Sequence, residues 1–199
     1  MGKLLLAVLI GLVGAAIVHI AVIFAIPGLA QNDSWNRLSR LGPLFATVQI
    51  ATVPAQGADP APGADFVFVD PAFIDVACRF DLSAAPVRVQ ASERTGFWSA
   101  SIYARNGDNL YSISERVALE GRLDLLVGTR EQLDLARVEG TEDDDTAIPV
   151  EFPAAEGYVT VRALVRAESE RPFVDRFARS VACRPASPEE SGQIATTSP

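Results

Sequence analysis

From Leu4 to Ile26 the chain reads LLLAVLIGLVGAAIVHIAVIFAI, twenty-three residues without a formal charge. At ~1.5 Å rise per residue this makes about 34 Å of helix, enough to cross a hydrocarbon core of roughly 30 Å. A secretory signal carries an apolar core of only about 7 to 15 residues, so a retained membrane anchor is the favoured reading. The competing one is cleavage after Ala30 in PGLAQ, which satisfies the small-residue rule. His19 is the one ionisable side chain of the run. In hydrocarbon it is a candidate proton relay or metal ligand facing a partner helix. The plainer reading, a neutral imidazole bonded to a carbonyl or interfacial water, is preferred. Gly11 and Ala15 form a small-xxx-small step that permits helix association.

Orientation is harder to read than the span. Lys3 faces Arg37 and Arg40 across the run, with Asp33 offsetting part of that charge, so the positive-inside comparison is nearly balanced. The chain carries −8 in total, and Lys3 is the single charged side chain of the first thirty residues, so the remainder carries −9. That balance argues against a nucleic-acid binder, which needs clustered Lys and Arg.

After the run, NDSWNRLSRLGPLF offers Asp33 or Ser34 as a helix N-cap. It sets Trp35, Leu38 and Leu41 at near-helical spacing beside Arg37 and Arg40. Trp and Arg just outside a span fit an interfacial anchor, and Gly42-Pro43 ends it. Residues 53–65, VPAQGADPAPGAD, read as a stiff exposed linker. The expected organisation is an anchor over 1–30, a juxtamembrane segment and linker over 31–64, a β domain over 65–184 and a disordered tail over 185–199.

From Asp65 the hydrophobic period becomes two. DFVFVDP, VACRFDL, PVRVQAS, GFWSASIYAR, NLYSISE, RLDLLVG, AIPVEFP and GYVTVRALVRA have strand length and alternate or run apolar between Gly, Pro, Asn and Asp. The expected fold is mainly β: an antiparallel sandwich or open barrel with one N-terminal transmembrane helix. In 96–116 the residues Trp98, Ala100 and Ile102 share one strand face and Ser99, Ser101 and Tyr103 the other. A two-residue Asn106-Gly107 turn opposes Ile102 to Tyr111 and Ala100 to Ile113, whereas a four-residue loop pairs Ile102 with Ile113. Either choice gives a core hairpin burying Trp98, Ile102, Tyr111 and Ile113, because the shift is even. An odd loop would set Ile113 beside serines.

Chemistry is sparse. Ser99, Ser101, Ser112 and Ser114 need a base to become nucleophiles, and the single His of the chain sits in the apolar run. The acidic residues from Glu142 to Asp145 are consecutive, without the alternate-position ligands of an EF-hand loop. Asp75 and Asp81, an even number apart, are the remaining candidate carboxylate pair. No cofactor or metal set is expected. Cys78 in VACRF and Cys183 in VACRP lie 105 residues apart, without the close spacing of zinc ligands. In an exported chain they are expected to form one disulfide; two separate buried thiols are the alternative. In RPFVDRFARSVACR, Phe173, Phe177 and Val181 follow an i, i+4, i+8 pattern with Pro172 at N1. A short C-terminal helix is preferred there over a strand, and the bridge would fasten it to the sheet.

Pro71, Asp81-Leu82-Ser83, Pro86-Val87 and Gly96 with Phe97 and Trp98 resemble the central pattern of the bacterial family known as domain of unknown function 1254. That pattern runs Asn-Pro-Asp-Thr-Leu-Tyr, then Asp-Leu-Ser, Pro-Val and an aromatic strand after Gly. The resemblance covers roughly 66–117 of this chain. Asp70, Ala72, Phe73 and Asp75 stand where the family pattern has Asn, Asp, Thr and Tyr, so no functional residue carries over. The resemblance implies a β-rich envelope domain like the short membrane-anchored members, with a protein of the related family of unknown function 1214 as a partner.

Two functions fit this pattern of residues. The first is an inner-membrane protein with a periplasmic interaction domain, whose partners are the bilayer and another envelope protein. The rival is an envelope enzyme or small-ligand binder using Asp75, Asp81 or the hairpin face. The lack of a nucleophile–base pair in the pattern favours the first.

Overall fold

The computed structural model describes residues 2–30, 33–50, 70–139 and 147–186. The segment 53–65, the expected strand over 65–69, the acidic run 142–145 and the tail from 187 lie outside the described residues.

Helix α1, Gly2–Ala30, contains the apolar run and is exposed on all sides over residues 2–26. It has the length and composition to cross a membrane, as a signal sequence near an N-terminus also has. A short helix α2, Asp33–Leu41, and a strand β1, Thr47–Ile50, come next. The strands after residue 70 are β2, Phe73–Asp81; β3, Val87–Ala91; β4, Trp98–Ala104; β5, Asn109–Ser114; and β6, Asp124–Gly128. Helix α3, Arg130–Glu139, leads to β7, Ile148–Glu151, and then β8, Glu156–Leu164; helix α4, Arg171–Ser180, feeds directly into β9, Val181–Pro185.

These strands make two sheets, β1-β2-β8-β4-β5 and β7-β6-β3-β9. Alternation decides which side chains meet between them. In β2 the even positions Ile74, Val76, Cys78 and Phe80 enter the common core; Trp98, Ala100 and Ile102 of β4, and Val159, Val161 and Ala163 of β8, join them. Val87 and Val89 of β3 and Leu125 and Val127 of β6 come from the opposite sheet. The architecture is therefore an open two-layer sandwich, and among the described residues neither sheet closes into a barrel.

Antiparallel pairing, expected throughout, fails at one place: β6 and β7 run parallel. Parallel neighbours need a crossover, and α3 supplies it. The helix begins with a reciprocal capping box, Thr129 N–H donating to Gln132 Oε1 at 3.0 Å and Gln132 N–H to Thr129 Oγ1 at 3.3 Å.

The domain begins earlier than residue 65. β1 pairs with β2 from Thr47 opposite Cys78 to Ile50 opposite Asp75, so the Pro/Ala/Gly segment interrupts the sheet instead of preceding it. The C-terminal helix forms where expected, but its buried face is Val174, Phe177 and Ala178. Phe173 is turned outward beneath the Arg176 guanidinium at 4.6 Å, and Val181 belongs to β9. Positions 174, 177 and 178 follow the i, i+3, i+4 stripe of one helix face. The i, i+4, i+8 reading ran past the helix end.

The bridge between Cys78 and Cys183 links β2 of one sheet to β9 of the other, with Cα atoms 6.5 Å apart. It therefore joins the two layers, and α4 is secured through the strand that follows it.

Gly157 lies in β8 opposite Phe80 and Ala104. A Cβ there would sit 2.5 Å from the Phe152 ring, 2.6 Å from the Tyr103 carbonyl oxygen and 2.8 Å from the Phe80 ring. The missing side chain makes room for the edge-to-face Phe80–Phe152 pair, with centroids 5.2 Å apart. Gly157→Ala is expected to lose about 1–3 kcal/mol or more of stability by overpacking, read as a lower urea midpoint. An unchanged midpoint would contradict this packing.

Candidate functional site

The side of the β1-β2-β8-β4-β5 sheet turned away from the core has two regions, one covered and one open. The covered region is built by α2. Its apolar stripe, Trp35 and Leu38 with Leu41, lies on Ala77 and Tyr158, flanked by Val48, Ile50 and Tyr103. Trp35, expected at a lipid interface, is only 6% exposed, so its indole is spent on the sheet. An amphipathic stripe suits lipid or protein equally, and the sheet wins here by offering two tyrosine rings stacked at 5.0 Å.

Arg79 organises this region. Its guanidinium faces the Trp35 ring at 4.9 Å while an Nη donates to the Gly42 carbonyl at 2.8 Å. Its backbone carbonyl accepts the Phe45 N–H at 2.8 Å. Phe45 adopts φ 63°, a left-handed conformation that costs a bulky residue roughly 1–2 kcal/mol. Arg105, ion-paired with Glu156, faces the same indole at 5.2 Å. Burial lowers the Arg79 pKa, opposed by the Glu156 charge. Burial also pushes the Tyr158 hydroxyl up, and a Ser34 hydrogen bond opposes the rise. Cations against an aromatic face are a holding device; nothing in this cluster is a nucleophile with a base.

The open region carries the predicted polar residues. Asp75, Arg162 and Ser99 stand side by side across β2, β8 and β4. Arg162 Nε donates to Asp75 Oδ1 at 3.1 Å, its Nη2 lies 4.0 Å from Asp70, and its guanidinium faces Phe73 at 4.3 Å. Burial raises the Asp75 pKa from its ordinary value, and the Arg162 charge only partly offsets this. Ser101 and Ser112 share a hydrogen bond at 3.0 Å, and Asn109 binds Ser112 as well. Asp81 lies on the same face as Asp75, but six residues along a strand is about 20 Å, too far for one acid–base pair. Its carboxylate instead accepts the Ser83 N–H at 2.8 Å and the Ser83 hydroxyl, and the Ser83 hydroxyl bond is the main cause of its lowered pKa.

Asp75 gives a pH prediction. Its folded pKa is raised, so the ionised form costs stability; that cost is absent below the unfolded value near 3.8 and grows as pH rises through the folded value. Asp75→Asn removes this dependence. Wild type should therefore gain on the variant as pH falls from neutral through that window, by no more than about 1 kcal/mol, because Arg162 is 44% exposed. A wild type that loses stability relative to the variant, or keeps a constant offset from it, as pH falls would refute the sign.

The hairpin residues differ in burial. Trp98 and Ile102 are fully buried, Ile113 nearly so and Tyr111 partly. His19 lies in α1, remote in sequence from every polar group above. Among the described residues no three His, Cys, Asp or Glu side chains gather in metal-binding geometry.

Fold and site together define a two-sheet β domain that carries an apolar N-terminal helix and clamps the helix following it. The chain belongs to the family described as protein of unknown function (DUF1254), whose model matches residues 49–185. That range runs from β1 to the end of β9. No curated protein matches the chain. Among solved structures it is similar to the VPA0106 protein from Vibrio parahaemolyticus, at 12% identity and TM-score 0.49 over 66% of this chain and 33% of that one. It is also similar to an uncharacterized protein from Burkholderia cenocepacia, at 14% identity and TM-score 0.42 over 72% of this chain and 34% of that one. This chain thus spans about a third of the length of each.

The family motif has a structural reading here. Asp81-Leu82-Ser83 and Pro86-Val87 form the corner that carries the chain from β2 in one sheet to β3 in the other. Asp81 closes the turn, the Leu82 N–H donates to the Ala155 carbonyl at 2.8 Å, and the Pro86 carbonyl accepts the Ala186 N–H at 2.8 Å. Val87 is fully buried. The motif shapes the sandwich, and its Asp81 carboxylate and Ser83 hydroxyl are held on each other at the surface.

Proposed function

We propose that this chain is a single-pass inner-membrane protein whose β domain stands in the periplasm and binds another envelope protein. The observation that carries the reading is α1: twenty-five residues, Gly2–Ile26, apolar and with no protein packed on them. An apolar surface of that size calls for a bilayer. The disulfide supports the oxidising side of that bilayer. The partner proposed is an envelope protein, with the related family of unknown function 1214 as the first candidate. The enzyme or ligand-binding rival keeps one observation, the half-buried Asp75 beside Arg162; the distance between Asp75 and Asp81 counts against a shared acid–base role.

Crosslinking in native membranes followed by mass spectrometry tests the role. A reproducible adduct with an envelope protein is expected, and a chain recovered without any protein adduct overturns it. Intact mass tests the anchor. The mature chain is expected to keep its N-terminal segment, and loss of about thirty residues, the length of a signal peptide, overturns the span.

A further inference from the structure

Between the end of α1 at Ala30 and the start of α2 at Asp33 there are only two residues. A three-residue step reaches at most about 11 Å, and the helical stretch from Ile26 to Ala30 adds about 6 Å. The first turn of α2 is therefore within about 17 Å of the end of the apolar span. That turn is not free to wander. Arg79 and Arg105 both face the Trp35 ring, and Ser34 bonds the Tyr158 hydroxyl.

All of these partners sit at one end of the sheet. Arg79 is near the close of β2, Tyr158 near the start of β8, and Arg105 just past β4. The corner at Ser83 and Ala84 belongs to this end. The other end carries Asp75, Arg162 and the turn leading to α4. β8 has nine residues, so the two ends are about 27 Å apart. β1 runs toward the far end, leaving the sheet at Ile50 opposite Asp75, and the chain returns at Asp70 beside Arg162.

Resting on the anchor reading above, we propose that the β domain lies against the lipid headgroup surface with its Ala84–Arg105 end lowest. The clamped α2 sets the height, and the described chain leaves the sheet at Ile50 and returns at Asp70, both at the far end. The apposed partner is the bilayer itself, and the end with Asp75, Arg162 and the α4 turn points away from it.

The test uses the full chain in nanodiscs of phosphatidylethanolamine and phosphatidylglycerol containing a headgroup-nitroxide lipid. A fluorophore is placed through Ala84→Cys or Ser169→Cys, both exposed positions, with the native disulfide kept. Quenching at 84 should exceed that at 169 several-fold, and deleting residues 54–64 should leave the ratio unchanged. Trp35→Ala, which frees α2, should bring the ratio toward one. Equal quenching at the two positions, or a ratio that moves with the deletion, overturns the proposal while the anchor reading stands. If neither label is quenched and intact mass shows the first thirty residues gone, the anchor reading fails and takes the proposal with it.

Discussion

Replacing both Cys78 and Cys183 by Ala is expected to destabilise the domain by about 2–5 kcal/mol, read from urea unfolding of the oxidised wild type against the variant. The bridge closes a sequence separation of 105 residues, for which the chain-entropy model gives ~4.7 kcal/mol before native strain is subtracted. It also joins the middle of β2 to β9, so its removal takes away a covalent tie between the two sheets at the centre of the core. Because both cysteines are almost fully buried, reductant should act slowly on the folded chain and quickly once urea opens it. A double variant as stable as wild type would mean that the bridge adds nothing to the packing.

Trp98→Ala carries the second large effect. The indole is wholly buried, among the largest side chains of the core, and its Nε1–H donates to the Gly121 carbonyl at 2.8 Å. Truncating a buried aromatic costs about 3–5 kcal/mol. Trp98→Phe separates the two contributions: it keeps most of the ring volume but leaves the Gly121 carbonyl without its donor, for about 1–3 kcal/mol. Urea midpoints should rank wild type, then Phe, then Ala. Equal midpoints for Phe and Ala would assign the whole effect to the hydrogen bond.

The same hairpin shows how far the pattern of side chains reaches. Alternation along 98–104 places Trp98, Ala100 and Ile102 in the core, and the pairing of Ile102 with Tyr111 and Ala100 with Ile113 matches the two-residue-turn register. The turn itself differs. Ala104 N–H donates to the Asp108 carbonyl at 2.9 Å, and Gly107 stands at φ 92°, so the loop spans three residues. An odd loop would reverse the faces of β5, but the register shifts after Ile102, skipping Leu110, and parity returns. Burial of the apolar face prevails over the local turn preference, and only the first of these is visible as a period of two.

Other elements were hidden for other reasons. The Thr129–Gln132 capping box was present to be read before α3, yet the helix has a single strong apolar anchor, Leu133, on its buried side. Such a face is weak beside the strands around it. β1 is four residues long and precedes the Pro-rich segment; its place in the sheet comes from pairing with β2, which no local pattern announces. Trp35 is the instructive case for the site. Its spacing from Leu38 marks an apolar face, but the Arg79, Arg105 and Tyr158 groups that receive it come from 44 to 123 residues away in sequence.

Protease added to intact spheroplasts tests most directly whether the disulfide-linked sandwich stands outside the inner membrane. The account predicts that, in urea-softened or reductant-treated spheroplasts that retain a cytoplasmic marker intact, the chain beyond residue 33 is digested while a fragment containing α1 stays with the membrane. A sandwich left whole under conditions that degrade a known periplasmic control would contradict it.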